Sequence, residues 1–212
     1  MSSFKNSDGT VIVERMIQSI RENKQYLSDI DGAIGDGDHG INMNKGFTLA
    51  REVQEKDPGD FSHGLNTLGK VLIMKIGGAM GPLYGKIFKI MGKTFSGHPE
   101  IDAELFREAL NEIRNTLEVM SPARVGDKTL VDALYPAIDA YNQSLEQGGD
   151  FKTALEAMKS AGETGRDKTE QMVAKIGRSS RLGERSKGVI DAGAASCALL
   201  LGVMADEIIE LL

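Results

Sequence analysis

Ile101-Asp102-Ala103-Glu104-Leu105-Phe106-Arg107-Glu108-Ala109-Leu110-Asn111-Glu112-Ile113-Arg114-Asn115-Thr116-Leu117-Glu118-Val119-Met120 decides the fold. Its apolar residues Ile101, Leu105, Phe106, Leu110, Ile113, Leu117 and Met120 step by threes and fours, while Glu104, Arg107, Glu108, Glu112 and Arg114 fall on the other side. That period is an amphipathic helix with one face committed to a core. The same pattern recurs on either side of it, over Thr10 to Ser28, Ile41 to Lys56, Phe61 to Ile76, Gly81 to Phe95, Lys128 to Gln147, Phe151 to Ile176 and Gly193 to Leu211. These segments make about eight helices and leave no alternating strand pattern, so the expected fold class is all-α. The β-branched clusters Val11 to Val13 and Val71 to Ile73 lie inside longer helical repeats and do not argue for a sheet.

A chain of 212 residues with 41% hydrophobic and 26% charged side chains is long enough to bury one substantial core. No stretch reads as an interdomain linker, so residues 1–212 are expected to form a single domain. The net charge of −6 gives no broad basic field, and aromatic residues are only 5% with no Trp, so neither nucleic acid nor an anionic membrane surface is an expected partner. The longest apolar run, Ala192 to Ala205, is shorter than the roughly 20 residues of a membrane span. The lone cysteine, Cys197, has no internal disulfide partner and reads as a core residue; with no charged leader at the start, the expected location is cytoplasmic.

What a plain helical bundle does not need is the composition of its connectors. Asp31 to Gly40, Gly77 to Gly85, Gly126 to Thr129 and Gly177 to Gly193 are rich in Gly and polar residues; each alone passes for an ordinary turn. The first carries three carboxylates and the last four cations, Arg178, Arg181, Arg185 and Lys187. Gly35, Gly37 and Gly40 spell G-x-G-x-x-G, but without a preceding buried strand this is no dinucleotide fingerprint, and Asp36 and Asp38 would repel a bare pyrophosphate. An EF-hand fails because Gly40 and Phe47 occupy its fifth and twelfth positions. Gly92-Lys93-Thr94 fails as a P-loop because Ile87 stands where the first glycine belongs.

Asp31, Asp36 and Asp38 remain, on a backbone with little side-chain bulk. Oxygen ligands of this kind suit Mg²⁺ bound together with substrate phosphates. Asp38 also reads as a helix N-cap, which leaves the other two unexplained. Gly77 to Gly85, with Pro82 in the first turn of a helix, presents free N–H groups to an anion. Asp127 and Lys128 read equally as an N-cap and a solvated side chain. Arg178, beside Gly177 at a helix edge, is the candidate phosphate contact, whereas Arg181, Arg185 and Lys187 read as a solvated loop with Glu184 paired to one arginine. His39 reads as a nucleotide contact, a supporting group or a helix-start residue; His63 and His98 read as surface.

Four ordered blocks carry a resemblance over essentially the whole chain: Ile34-Gly35-Asp36-Gly37-Asp38-His39-Gly40-x-Asn42-Met43, Gly77 to Gly85, Gly126-Asp127-Lys128-Thr129, and Gly177-Arg178 through Leu182-Gly183-Glu184-Arg185-Ser186. They resemble the nucleotide-binding L subunits of bacterial dihydroxyacetone kinases, DhaL. The resemblance implies a barrel of eight antiparallel helices with the nucleotide held by loops at one end. It implies that Asp31, Asp36 and Asp38 carry two Mg²⁺ ions bridging the phosphates of ADP or ATP, with His39, Gly40 and Asn42 flanking the nucleotide. Met80 and Gly81 then approach the phosphates, Thr129 and Leu130 form the nucleotide wall, Arg178 contacts phosphate as the catalytic residue, and Asp191 with Gly193 meets the adenosine end. Met80 replaces the usual Ser, Leu130 a common Met, and Val189 and Ala192 the His and Pro often found around Asp191. Phosphoryl transfer is the implied reaction: a DhaM-like phosphoprotein recharges bound ADP, and the γ-phosphoryl passes to dihydroxyacetone on a DhaK-like subunit. Exchangeable ATP acting on a related ketose or tetrose, and a regulatory module that binds a transcription regulator, are the alternative readings.

Overall fold

The computed structural model describes residues 2–212. Among these residues nine α-helices carry the fold: α1 (Thr10–Glu22), α2 (Lys24–Ile34), α3 (His39–Lys56), α4 (Phe61–Lys75), α5 (Met80–Phe95), α6 (Ala103–Met120), α7 (Val131–Glu146), α8 (Phe151–Lys168) and α9 (Ala192–Leu211). The all-α expectation holds in substance, with corrections that have local causes. The helix expected over Thr10 to Ser28 is two helices. Asn23 separates them, its side-chain amide donating to Ser19 O at 2.9 Å in competition with helix continuation. The second helix runs on to Ile34, so Asp31 sits in a last helical turn rather than in a loop.

The expectation of no strand is also corrected. Ser3–Lys5 (β1) pairs antiparallel with Glu100–Asp102 (β2), Phe4 opposite Ile101, in strands too short to show alternation. α8 ends at Lys168 instead of Ile176: the Thr169 hydroxyl donates back to Arg166 O, and a single 3₁₀ turn, Thr169–Gln171, follows. α7 starts at Val131 rather than Lys128, and its cap is not Asp127. Asp132 in its first turn accepts from Thr129 N at 2.7 Å and from Gly126 N at 2.6 Å.

From α3 to α9 each helix packs on the next, and α9 also packs against α1, α2 and α7. From α2 to α9 the helix ends gather into two groups. At one end Phe4, Phe61, Phe95, Phe106, Tyr141 and Phe151 form an aromatic cluster with ring centroids 5.4–6.5 Å apart. That contact lies in the range of favourable ring pairing and anchors β1, α4, α5, α6, α7 and α8 together. At the other end lie the C-termini of α2, α4 and α6 and the N-termini of α3, α5, α7 and α9, where the glycine-rich connectors meet. α9 is apolar and long enough to cross a membrane by length and composition alone, yet most of its residues are buried inside the bundle.

Candidate functional site

The connectors enclose a cleft of about 500 Å³. Of the residues singled out in the sequence, Asp31, Asp36, Asp38, His39, Asn42, Met80, Thr129, Leu130, Arg178, Asp191 and Gly193 all line it. Gly40 and Gly81 do not. A Cβ on Gly40 would stand 2.0 Å from Lys24 O, and one on Gly81 would stand 2.0 Å from Ile76 O. These two glycines let backbones approach closely, α3 against α2 and α5 against the end of α4.

The aspartates converge. One carboxylate oxygen from each of Asp31, Asp36 and Asp38 lies within 4.8 Å of the others. Their convergence follows from local structure: α2 ends one turn after Asp31, Gly37 turns the chain at φ 75°, and α3 starts at His39. Gly35 is required here, since a Cβ would sit 2.5 Å from Asp31 Oδ1. Asp38 occupies the N-cap position of α3, but its side chain makes no capping bond. Its carboxylate therefore remains available, and it is Asp31 Oδ2 that accepts the His39 N–H, at 3.2 Å. Three hard oxygen donors at this spacing fit a divalent cation such as Mg²⁺.

Positive potential faces them from several sides. The N-terminus of the 16-residue α5 opens on the cleft at Ala79 and Met80 without a side-chain cap, so the backbone N–H donors there face a site for an anion. Arg178 reaches across from the last connector and ion-pairs with Asp36. Arg181, Arg185 and Lys187 are exposed, as expected, but no ion pair joins Glu184 to any of them among the described residues.

His39 is half-buried at the edge of this surface. Its Nε2 is 2.8 Å from Ser196 Oγ, which is itself 2.7 Å from Tyr84 Oη; Tyr84 also lies 3.1 Å from Gly193 O. Desolvation lowers the imidazole pKa to about 4 against the opposing field of Asp31, so the ring is neutral at pH 7. Asp191 caps α9, accepting from Ala194 N at 2.8 Å. Burial pushes its pKa up to about 7, a shift that the Ala194 bond works against and Asp132 adds to. Cys197 is buried, as expected, and its thiol is raised to about 12 by desolvation. His98 is exposed, while His63 is partly covered at the start of α4.

Sequence reasoning missed two parts of the site. Leu117, Ser121 and Ala123, at the end of α6, line the cleft; no motif marks them. Lys128 is not a solvated side chain but is 1% exposed, and desolvation lowers its pKa.

The family model of the DAK2 domain matches residues 33–206, a span that begins two positions after Asp31. The ADP-binding subunit DhaL of the PEP-dependent dihydroxyacetone kinase 1 of Listeria innocua is 39% identical over 188 residues, covering 88% of this chain and 89% of that one. The corresponding DhaL subunit of Escherichia coli is 35% identical, covering 85% and 87%. The crystal structure of the dihydroxyacetone kinase of C. freundii in complex with AMP-PNP and Mg²⁺ shares the fold, with a TM-score of 0.68 at 21% identity over 98% of this chain. This chain spans 35% of that kinase. With a domain model across most of its length and DhaL subunits matched nearly end to end, the chain belongs to the DAK2 domain family, among its DhaL members.

Proposed function

We propose that this chain is the ADP/ATP-binding subunit of a phosphotransferase-system-dependent dihydroxyacetone kinase. The observation that carries this reading is the convergence of Asp31, Asp36 and Asp38 at the cleft, opposite Arg178 and beside the open N-terminus of α5. The helices would form a barrel with the nucleotide at its mouth. Asp31, Asp36 and Asp38 would hold two Mg²⁺ ions. Bound there, the ions supply charge neutralisation and orientation for the nucleotide phosphates.

The residues of the chain do the positioning. The N–H groups at the start of α5, around Met80, would donate to phosphate oxygens, with Gly81 letting that turn pack close against the end of α4, and the Arg178 guanidinium would leave Asp36 to pair with phosphate as charge moves onto the bridging oxygen. Thr129 and Leu130 form the wall, Asp191 and Gly193 the adenosine end, and Asn42 flanks the phosphates with His39. The neutral His39 ring keeps Nε2 on Ser196, which fixes its orientation. In the transfer the γ-phosphoryl would pass to a hydroxyl oxygen of dihydroxyacetone on a DhaK-like partner, the bond to the β,γ-bridging oxygen breaking as the new phosphorus–oxygen bond forms and the hydroxyl proton leaving to solvent. A DhaM-like phosphoprotein returns ADP to ATP in place. Exposed apolar residues adjoining cleft-lining positions, Ile41 and Met120, suit the docking of such partners.

Relatives named as erythrulose kinases favour a second reading, in which exchangeable ATP serves a related ketose. The L-erythrulose kinase of Pectobacterium atrosepticum is 32% identical over 84% of this chain, which covers 31% of that protein. Calorimetric titration of nucleotide-stripped protein with ADP, in Mg²⁺ and in EDTA, tests the site. Tight binding only in Mg²⁺ is expected, and no binding in either buffer refutes the reading. Nucleotide retained through purification then separates the first reading from the second.

A further inference from the structure

Lys128 is the least expected side chain at the cleft. It is fully buried, holds a positive φ of 61° unusual for a residue with a Cβ, and has no carboxylate in ion-pair contact among the described residues. Its ammonium has three donors, and three backbone carbonyls take them: Met172 O at 3.2 Å, Ser186 O at 2.6 Å and Val189 O at 2.5 Å. All three belong to the segment between α8 and α9. The outer limbs of that segment are also tied to each other and to the turn that carries Lys128. Gly188 N donates to Glu170 O at 2.7 Å, Ala174 N to Ser186 Oγ at 2.9 Å, and Lys175 N to Asp127 O at 3.1 Å.

Between these pinned limbs runs a strap that contains Arg178. Gly177 and Gly183 on either side of it take positive φ, with open space around each. The strap's middle, a 3₁₀ stretch over Ser179–Ser186, touches α2, and the ties at its two roots fix where it leaves and rejoins the fold beside the aspartates. We infer that Lys128 is a positioning residue for nucleotide binding: its buried ammonium clamps both roots of the strap and so holds Arg178 over the aspartate cluster. This rests on the nucleotide reading of the cleft. A lysine suits the task because a compact cation with three donors satisfies three converging carbonyls that an apolar side chain would leave bare.

The test is a double-mutant cycle on Mg-ADP affinity with wild type, Lys128→Met, Arg178→Ala and the double variant, together with tryptic digestion of each without nucleotide. Lys128→Met is expected to weaken Mg-ADP binding by roughly tenfold or more, and to add little once Arg178 is gone. A merely structural role would cost the same factor in both backgrounds, which overturns the inference; so does unchanged affinity. Trypsin reads the clamp independently, since Arg178, Arg181, Arg185 and Lys187 all lie in the strap. Faster cleavage there with unaltered thermal unfolding of the helices supports the clamp, and unchanged cleavage overturns it. Should Lys128→Met fail to fold, Ser186→Ala cuts the tie between the limbs while keeping the ammonium. Its loss of affinity is expected only where Arg178 is present, and loss in both backgrounds or in neither refutes the clamp. If wild type itself fails to bind Mg-ADP, the nucleotide reading falls and digestion alone decides the clamp.

Discussion

Asp36→Asn should weaken the nucleotide site without weakening the fold, and the two effects have opposite signs. With carboxylate oxygens of Asp31, Asp36 and Asp38 within 4.8 Å of each other, each like-charge pair costs between about 1 kcal/mol at the permittivity of water and about 3 kcal/mol at a protein surface. Asp36 takes part in two such pairs and is offset by one contact, to a largely exposed Arg178. Replacing its charge in metal-free buffer therefore leaves stability unchanged or raises it. With Mg-ADP at 100 times its dissociation constant, wild type gains about 2.7 kcal/mol, or roughly 5–11 °C in unfolding temperature for a chain of this size, and the variant loses most of that gain. Differential scanning fluorimetry in EDTA and in Mg-ADP measures both. An Asp36→Asn protein that melts lower in EDTA, with an undiminished ligand shift, would mean that the aspartates serve the fold instead of a cation.

Gly40→Ala should act in the reverse way, costing about 1–3 kcal/mol or more in EDTA, because its Cβ would meet Lys24 O and Ser28 Oγ and push α2 from α3; an unchanged denaturant midpoint refutes the close-packing account. Asp191, raised to about 7 in the fold against an ordinary value near 4, holds a proton in the native state that the unfolded chain releases. The stability this provides is full below about pH 4 and lost as the pH rises through about 7, so Asp191→Asn should gain on wild type by up to about 4 kcal/mol between pH 4 and pH 8. A stability difference that stays flat with pH counts against it. Ser196→Ala strips His39 Nε2 and Tyr84 Oη of a shared buried partner; a loss of about 1–3 kcal/mol is expected together with shifted imidazole ¹⁵N resonances, and unmoved resonances would detach His39 from that network.

How much of this was legible in the sequence depended on whether the signal was periodic or solitary. The face of α6 repeats over many residues, so its helix and its burial were readable from spacing alone, and the aspartates were readable because residue types that repel one another had been gathered on glycines. A break at Asn23 hangs on one amide bonding to Ser19 O, in a residue only mildly unfavourable to helices, and nothing in the repeat marks it. The β1–β2 pair is set by Phe4 packing on Phe61 and Phe151, contacts between distant parts of the chain that three-residue strands do not announce. Lys128 is the sharpest instance. A lysine after an aspartate reads as solvated because an isolated ammonium is costly to bury, and only the carbonyls of Met172, Ser186 and Val189 reverse that expectation. These acceptors come from backbone, which looks alike at every residue in the sequence. Side chains that bind a ligand thus leave a chemical signature in their residue types, whereas side chains that hold the binding groups in place leave none until the fold supplies their partners.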